Sequence, residues 1–524
     1  MKQSNPKNKT TKEKHIGITG NDLSLDNFIL VARHKHKVFL TQEAKKRILK
    51  CRKVVDKLVE DEKVVYGLTT GFGSLANISI SADKAEELQE NLLRSHACGV
   101  GRPFSEEIVR GIMLLRVNTF AKGFSGIRLS TVETIIEMLN KGLYPFVPEQ
   151  GSVGSSGDLC PLSHLFLVMI GEGEAFLERK KFSGAEAMKK SGIKPIKLTS
   201  KEGLALNNGT PVMTAIAAIA VYDSINLMKH TILASAITME ALKANSSALR
   251  EEIHLARPHQ GQIRIAQILR KILKNSQLID SNKKKVQDAY SIRATPVVIG
   301  ASLDTLNYVK QVVITEMNSA TDNPLIFGEN AYSGANFHGQ PIALVMDFLG
   351  IAMSEIADLS ERRISRLLDS ALNEGLPPFL INKPGLNSGL MIPQYTAASL
   401  VSENKILAHP ASVDSIPTCA NQEDHVSMGT IAARKMLKII FNVQNVIAIE
   451  MLTAAQALDM RIEYEKLQPS PQVAQVLKTI RTYIDFLEQD RVLYKDINNL
   501  SKCILEGKLI NKLSCAHGFD TLCS

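Results

Sequence analysis

Residues 430–468 read TIAARKMLKIIFNVQNVIAIEMLTAAQALDMRIEYEKLQ, without a glycine or a proline. The run is rich in alanine, leucine, isoleucine and methionine, which favour or tolerate a helix. Residues 212–257 also lack glycine and proline, and residues 341–369 read as a third helical segment with apolar residues on more than one face. Segments of this length exceed the usual globular helix. Long antiparallel helices in a bundle are their natural arrangement, so the sequence predicts a mainly α fold.

The segments around these helices differ in composition. Glycine-rich stretches are concentrated ahead of the long helices. Loops held on a rigid helical scaffold commonly carry the chemistry of a protein. We predict four parts: a polar basic tail (1–20), an N-terminal domain of shorter helices with glycine-rich loops that carry the active site (21–205), a central long-helix bundle (206–465) and a C-terminal helical segment (466–524).

One apolar stretch within the bundle has to be weighed as a membrane span. Residues 212–222 are almost entirely apolar, but Asp223, Ser224 and Asn226 follow them. We expect these polar residues to end the run, which leaves it too short to cross a bilayer. The stretch is therefore predicted to be a buried core helix, with no membrane contact.

Composition restricts the class of protein. The 524 residues are 44% hydrophobic and 22% charged, as in ordinary globular proteins, and only 5% aromatic with no tryptophan. A surface of stacked rings for single-stranded nucleic acid is therefore not expected. The net charge of +9 partly reflects lysines near the N-terminus, which we interpret as a solvated tail. Seven cysteines without a Cys-x-x-Cys pair, behind a polar N-terminus, indicate a reducing, cytoplasmic location and no zinc ribbon.

The most informative loop spans residues 151–158 and reads GSVGSSGD. It lacks the Gly-Lys-Ser/Thr of a phosphate-binding loop and the spacing of a serine-hydrolase elbow. One interpretation is a plain turn before a helix that starts near Pro161. The other is self-modification, in which the nitrogen of Gly157, with no Cβ to block its approach, attacks the backbone carbonyl two residues back. Loss of water, including the Ser156 hydroxyl, would then leave an electrophilic alkene.

Further motifs follow along the chain. They are YGLTTGFG at 66–73, KEGLALNNGT at 201–210, QDAYSIR at 287–293, NFHG at 336–339 and NQEDHVSM at 421–428. Together with the 151–158 loop, their identity and order resemble the aromatic amino-acid ammonia-lyases and aminomutases over about residues 25–465, and within that family the histidine enzymes. The family forms a methylidene-imidazolone from an Ala-Ser-Gly triplet. Here Ser155 takes the alanine position, and its side chain is not consumed in the cyclisation.

The resemblance implies a role for each matching residue. Ser155, Ser156 and Gly157 would form the methylidene-imidazolone, so no external cofactor and no metal are expected. Tyr66 would remove the β-proton of the substrate, and because free tyrosine has a pKa of about 10, we expect the site to favour its phenolate. Arg293 would hold the substrate carboxylate with its planar fork. The other matches would position the electrophile and the substrate or line the pocket: Asn208, Gln287, Tyr290 and Phe337.

Two positions bear on the substrate. In the family a carboxylate at the position of Glu423 marks the histidine enzymes, and a glutamine marks the phenylalanine enzymes. A carboxylate can accept a hydrogen bond from an imidazole N–H. The pair Ser95-His96 also resembles the histidine enzymes, whereas Thr69 and Ala289 occur in tyrosine and phenylalanine enzymes as well. The resemblance therefore implies elimination of ammonia from L-histidine to give trans-urocanate, with Glu423 and His96 holding the imidazole.

The resemblance also implies an assembly. The family is a homotetramer with a central bundle of long helices, and each active site takes residues from three subunits. The nearest alternative function is a tyrosine or phenylalanine ammonia-lyase, or an aminomutase that returns ammonia to the β-carbon. A second is a catalytically silent scaffold in which Ser155 blocks maturation. A third is a nucleic-acid binder using the basic tail, which we do not favour because no known binding motif accompanies the charge.

Overall fold

The computed structural model describes residues 15–510, apart from 62, 79, 82 and 83, together with residues 519 and 522. Most of the predicted basic tail lies outside the described residues. Helices make up 58% of the structure and strands are few, which confirms the mainly α prediction.

The longest helices all lie after residue 210 in the described part of the chain. The helices are α1 (Leu25–Ala32), α2 (Gln42–Glu60), α3 (Ala85–His96), α4 (Glu106–Ala121), α5 (Leu129–Lys141), α6 (Leu159–Leu167), α7 (Gly184–Lys190), α8 (Glu202–Asn207), α9 (Pro211–Ala241), α10 (Glu251–Leu255), α11 (Gln260–Ile272), α12 (Tyr290–Arg293), α13 (Thr295–Met317), α14 (Gln340–Leu368), α15 (Met391–Leu407), α16 (Gly429–Glu465), α17 (Pro471–Ile480) and α18 (Tyr494–Leu505). The strands are β1 (Ile16–Ile18), β2 (Val38–Leu40), β3 (Val100–Pro103), β4 (Tyr144–Pro145), β5 (Pro148–Gln150), β6 (Glu174–Leu177), β7 (Lys180–Ser183), β8 (Leu325–Phe327) and β9 (Asn330–Tyr332).

The chain forms two compact units, each assembled from three separate segments. Among the described residues, the first unit comprises those up to 219, 313–343 and 412–431. The second comprises 220–312, 344–411 and the described residues from 432 onward. The strands above all belong to the first unit. β1 pairs with β2 in parallel, whereas β3–β5, β4–β6–β7 and β8–β9 form small antiparallel sheets.

The first unit is built around α4, which is buried along almost its whole length. Helices α1 and α5 pack on it, and α3 packs against α6 and α8. The pairing of β3 with β5 brings Val100 opposite Gln150. Because β3 follows α3 closely and β5 immediately precedes residues 151–158, this pairing holds that loop beside the end of α3.

The second unit contains most of the length of the long helices. The predicted helices at 430–468 and 341–369 are confirmed as α16 and α14, whose ends lie within three residues of the expected ones. Between Ala432 and Met460 most side chains of α16 are buried, which explains why it is apolar on several faces.

Helix α9 differs from the prediction in two ways: the polar residues after 222 are accommodated within it, and it ends before residue 257. The polar residues after 222 do not end it: Ser224 is fully buried, and Asn226 donates to the Ile504 carbonyl at 2.6 Å. The helix stops at Ala241 rather than continuing to 257, because the backbone turns at Lys243, where φ is +49°, and Asn245 accepts from the Ser247 N–H.

Three described helices are long and apolar enough to cross a membrane by length and composition: α9, α13 and α16. The expectation that the first apolar run is too short was therefore wrong. In the most apolar windows of α9 and α16, 83% and 78% of the residues are buried inside the protein. This burial agrees with the interpretation of α9 as a core helix.

Candidate active site

The loop at residues 151–158 makes a tight turn that requires glycine. Gly157 has φ of +73°, and a Cβ at this position would overlap the backbone of Gly209. The Gly154 carbonyl accepts from the Ser427 hydroxyl at 2.8 Å, which fixes the other side of the turn. The loop is therefore packed closely against Gly209 on one side and hydrogen-bonded to Ser427 on the other.

Asp158 connects the loop to two long helices. One carboxylate oxygen accepts from the backbone N–H groups of Val212 and Met213, both at 3.0 Å, in the first turn of α9. The other accepts from the hydroxyls of Ser152 at 3.1 Å and Thr430 at 2.5 Å. Burial raises the pKa of Asp158 to about 6, and these donors oppose the rise. The positive end of α9 also favours the charged form.

The carbonyl of Ser156 faces two donors. The Asn208 side-chain amide donates to it at 2.9 Å, and the Gly209 N–H donates at 3.3 Å. The Asp158 N–H in turn donates to the Gly209 carbonyl at 2.7 Å, which holds the loop against the segment around Gly209. Donors aimed at one oxygen stabilise negative charge that develops on it.

Glu423 contacts both serines of the triplet. Its Oε2 accepts from the Ser155 hydroxyl and its Oε1 from the Ser156 hydroxyl, each at 2.7 Å. The Thr418 hydroxyl also donates to Oε2, at 2.9 Å, and the backbones of Thr418 and Glu423 pair with each other. A short turn between them thus presents the carboxylate to the loop.

Tyr66 lies in the same cavity, in surroundings that raise its pKa. Its phenol oxygen accepts from the Gly73 N–H at 3.0 Å. Burial raises the pKa of Tyr66 above its ordinary value of 10.0, and the nearby Glu423 carboxylate raises it further, against the effect of the Gly73 donor. The expectation that the surroundings favour the phenolate is therefore wrong for these residues.

His96 is held by its sequence neighbour. Its Nδ1 shares a hydrogen bond of 2.9 Å with the Ser95 hydroxyl at the end of α3. Burial lowers the pKa of His96, although the nearby Glu423 carboxylate acts in the opposite direction. The neutral imidazole is therefore favoured near neutral pH.

One cavity of about 780 Å³ lies in the first unit beside the two serines of the loop. That volume lies in the usual range for small-molecule sites. The predicted site residues in its lining are Tyr66, His96, Ser155, Ser156, Asn208, Phe337 and Glu423. His338 and His425 also line it, and their rings stack with centroids 5.5 Å apart.

Three predicted site residues lie in the second unit and are not in the lining of this cavity. Gln287 and Tyr290 are exposed, the latter to 73% of its surface. The Arg293 guanidinium carbon lies 4.6 Å from the centre of the Tyr290 ring, so the short helix α12 presents a cation stacked on an aromatic face.

Sequence reasoning did not single out Cys419 or Asp158. Cys419 lines the cavity, and its sulfur accepts from the Ser74 N–H at 3.4 Å. Nothing in a lone cysteine indicates this position. Asp158 directly follows the glycine-rich loop, and an acidic residue there could have been recognised as a loop anchor.

Known proteins share this architecture. The aromatic amino acid lyase family matches residues 23–482. A histidine ammonia-lyase of Alkaliphilus oremlandii is 55% identical over 96% of this chain and 99% of its own length. The crystal structure of histidine ammonia-lyase from Trypanosoma cruzi has a TM-score of 0.90 at 41% identity and covers 98% of both chains. Tyrosine aminomutase from Streptomyces globisporus has a TM-score of 0.91 at 36% identity, over 95% of this chain and 98% of that one. The chain belongs to the aromatic amino acid lyase family.

Proposed function

We propose that this protein is an ammonia-lyase that converts L-histidine to trans-urocanate and ammonia. The observation that carries the proposal is the position of Glu423 against the Ser155 and Ser156 hydroxyls. The high identity to proteins named histidine ammonia-lyase supports it. A carboxylate and a neutral histidine in one cavity supply an acceptor and an imidazole partner for the substrate ring.

We further propose that Ser155, Ser156 and Gly157 mature into a methylidene-imidazolone. The Gly157 nitrogen would bond to the Ser155 carbonyl carbon, whose oxygen leaves as water, and the Ser156 hydroxyl would leave as a second water. The residues fit the product: the Ser156 carbonyl, which survives the cyclisation, already has two donors, Asn208 and Gly209. When formed, the group supplies an electrophilic carbon that makes the substrate amino group a leaving group.

Maturation would also prepare Glu423. The Ser156 hydroxyl is the hydrogen-bond partner of Glu423 Oε1. Loss of that hydroxyl as water would free this oxygen for a new donor, while Ser155 and Thr418 still hold Oε2. An imidazole N–H of the substrate is a suitable donor, and a bare phenyl ring is not.

Tyr66 is proposed to accept the β-proton. Its raised pKa means that the phenolate is a minor form at neutral pH, so the elimination rate should increase with pH. The Gly73 N–H stabilises the charge once it forms. The neutral His96 next to Glu423 can pair with the second imidazole nitrogen of the substrate.

Gln287, Tyr290 and Arg293 are proposed to bind the carboxylate end of the substrate in the cavity of another copy within a homotetramer. Gln287 and Tyr290 are exposed in the second unit and Arg293 is half-buried against the Tyr290 ring, which supports this role. Large apolar residues are also exposed on the long helices, among them Tyr308, Phe348, Ile351 and Phe441. Such residues are typical of surfaces between subunits. We propose that the enzyme acts in the cytoplasm, without membrane or nucleic acid.

One assay separates the candidate substrates. Purified protein is mixed separately with L-histidine, L-tyrosine and L-phenylalanine, and the ultraviolet absorbance of each conjugated product is followed. Urocanate from histidine alone is the expected result. Coumarate or cinnamate would retain the chemistry and replace the substrate, and a β-amino acid would identify an aminomutase, which the likeness to tyrosine aminomutase makes the specific rival. If no product forms, the mass of the peptide containing residues 151–158 decides whether two waters were lost.

A further inference from the structure

Helix α4 carries two buried arginines, Arg110 and Arg116, whose hydrogen bonds differ. Arg110 donates from each of its side-chain nitrogen atoms, to the Val31 carbonyl at 3.0 and 3.2 Å and to the Leu139 carbonyl at 2.8 Å. These bonds join α4 to α1 and α5. Arg116 is fully buried, yet it donates only from Nη2, to the Ala205 carbonyl. Within the described part of the chain, Nε and Nη1 of Arg116 have no hydrogen-bond partner.

A buried guanidinium with two unpaired nitrogen atoms opposes folding, so its presence needs a reason. The Phe120 ring, one turn further along α4, lies 4.7 Å from the guanidinium carbon of Arg116 and offsets part of the cost. Burial lowers the pKa of Arg116 to about 10, against the effect of the Asp322 carboxylate. The side chain is therefore a cation at neutral pH. Unlike Arg110, it is not explained by the bonds it makes within the fold.

The guanidinium of Arg116 lies against Gly209, which also contacts the 151–158 loop. A Cβ at Gly209 would lie 2.9 Å from Arg116 Nη1, and the φ of Gly209 is +123°. Glycine is therefore required for this close approach. On its other side, the backbone of Gly209 pairs with that of Gly157, and its N–H donates to the Ser156 carbonyl. One residue thus contacts both the buried cation and the triplet.

Arg116 also replaces a hydrogen bond that a continuing helix would use. The Ala205 carbonyl lies in the last turn of α8, and in a longer helix the Gly209 N–H would donate to it. Here Arg116 donates to Ala205, and the Gly209 N–H donates to Ser156 instead. A cation at the C-terminal end of a helix is also electrostatically favourable. The contacts with Ala205 and Gly209 together fix the position of Asn208 between them.

We propose that Arg116 is a positioning residue that directs the Asn208 and Gly209 donors at the Ser156 carbonyl oxygen and so accelerates maturation of the loop. This inference rests on the proposed function. During dehydration the Cα–H and Cβ–O bonds of Ser156 break, a Cα=Cβ double bond forms, and the proton and hydroxide leave as one water. The electron pair of the C–H bond shifts partly onto the adjacent carbonyl oxygen. Donors fixed in advance stabilise that charge, and a buried cation behind them adds to the effect.

The test follows maturation by mass, without any substrate. Full-length protein is newly synthesised, translation is stopped, and the peptide containing residues 151–158 is weighed over time. In Arg116→Met the loss of two waters should slow by roughly 10- to 100-fold, somewhat less than removal of a stabilising donor itself costs. Arg116→Lys keeps the charge and a donor for Ala205, so its rate should stay within about threefold of wild type. An unchanged rate for Arg116→Met would overturn the proposal.

Arg110→Met is the matched control, because it removes a buried arginine from the same helix without touching the donor pair. It should lower the denaturant midpoint and leave the rate of water loss unchanged. Equal slowing in Arg110→Met and Arg116→Met would assign the effect to a general loss of stability and overturn the proposal.

Arg116→Gln covers the case in which Arg116→Met does not fold. It keeps an N–H donor but neither the charge nor the reach of the guanidinium. We expect slow water loss in this variant as well, and maturation at the wild-type rate would overturn the proposal. If the wild type itself never loses the two waters, the proposed maturation fails and this inference with it, whereas normal maturation of the Arg116 variants overturns this inference alone.

Discussion

Glu423 in the first unit and Glu450 in the second are both carboxylates away from bulk water, but their partners differ. Glu423 is half-buried, lines the cavity and accepts from the hydroxyls of Ser155 and Ser156. Glu450 is fully buried and accepts from the Arg363 guanidinium at 2.5 and 2.7 Å. The two hydroxyl partners of Glu423 are uncharged, whereas Arg363 is a cation that binds Glu450 through two hydrogen bonds.

The difference separates a structural group from a reactive one. Besides Arg363, Glu450 accepts from the hydroxyls of Ser360 at 2.5 Å and Thr238 at 3.0 Å, so helices α9 and α14 both supply partners to this residue of α16. The charge of such a carboxylate is balanced by its cation, and its oxygens already accept hydrogen bonds, so a new ligand has little to bind. Glu423 depends on hydroxyls, one of which should leave during maturation. The oxygen of Glu423 that then lacks a donor can accept a hydrogen bond from the substrate.

Removal of the Ser156 hydroxyl tests the reactive side of the comparison most strongly. Ser156→Ala should leave the fold intact and abolish turnover, because the alkene cannot form without loss of that hydroxyl. The mass of the 151–158 peptide should show no loss of two waters. Ser155→Ala is the matched control and should still lose both waters, since the Ser155 side chain is not consumed. Near-normal turnover of Ser156→Ala would contradict the mechanism.

Glu423→Gln tests whether the freed carboxylate acts on the substrate. The amide keeps the size of the side chain but loses the charge and one acceptor oxygen. We expect histidine turnover to fall by roughly 10²–10⁴-fold, the range for a group that handles protons or charge in the reaction. The peptide containing residues 151–158 should still lose two waters in this variant. Thr418→Val, which removes only one hydroxyl from Oε2, should cost less than about tenfold; an unchanged rate for Glu423→Gln would assign substrate recognition to other residues.

Glu450→Gln tests the structural side. The substitution leaves the fully buried guanidinium of Arg363 without its counter-charge. Breaking a buried pair in this way typically costs about 3–5 kcal/mol of unfolding free energy. Denaturant midpoints should show this loss. The double variant Arg363→Met/Glu450→Leu should recover most of it, and a single variant within about 1 kcal/mol of wild type would show that the pair stabilises little.

The sequence predicted those features of the fold that depend on local composition. The ends of α14 and α16 were predicted to within three residues because their apolar runs are bounded by glycine, proline or a turn. The expectation that the polar residues after 222 end the apolar run was wrong, since the carbonyl of Ile504, from a distant part of the chain, accepts a hydrogen bond from Asn226. Two units interleaved along the chain also depend on such distant contacts, which no local pattern contains.

The candidate site shows the same division. The motifs identified Tyr66 and Glu423, and the structure places both in one cavity. The motifs did not give the direction of the Tyr66 pKa, because that depends on burial and on the charge of Glu423. Cys419 was missed for a similar reason. Its place in the cavity depends on contacts with residues far away in the chain, such as Ser74, and not on its being a cysteine.

Glu240, a third carboxylate, gives the smallest and sharpest test. It is fully buried in the second unit and accepts from the Ser470 N–H at 2.8 Å. Burial raises its pKa from 4.5 to about 7. The folded state therefore holds a proton that the unfolded state releases between these values, so its contribution to stability is greatest below pH 4.5 and declines as the pH rises to about 7. The decline should be at most roughly 3 kcal/mol.

Glu240→Gln should remove this dependence, because an amide can accept from Ser470 without ionising. The difference in denaturant midpoint between wild type and Glu240→Gln should then change steadily between pH 5 and 7. Glu465→Gln is the control: Lys243 lowers the pKa of Glu465, so its contribution is complete above 4.5 and its difference from wild type should stay flat over the same range. If the difference in denaturant midpoint from wild type does not change with pH for either variant, Glu240 is ionised in the folded state. The lack of a cationic partner would then not separate the behaviour of Glu240 from that of Glu450.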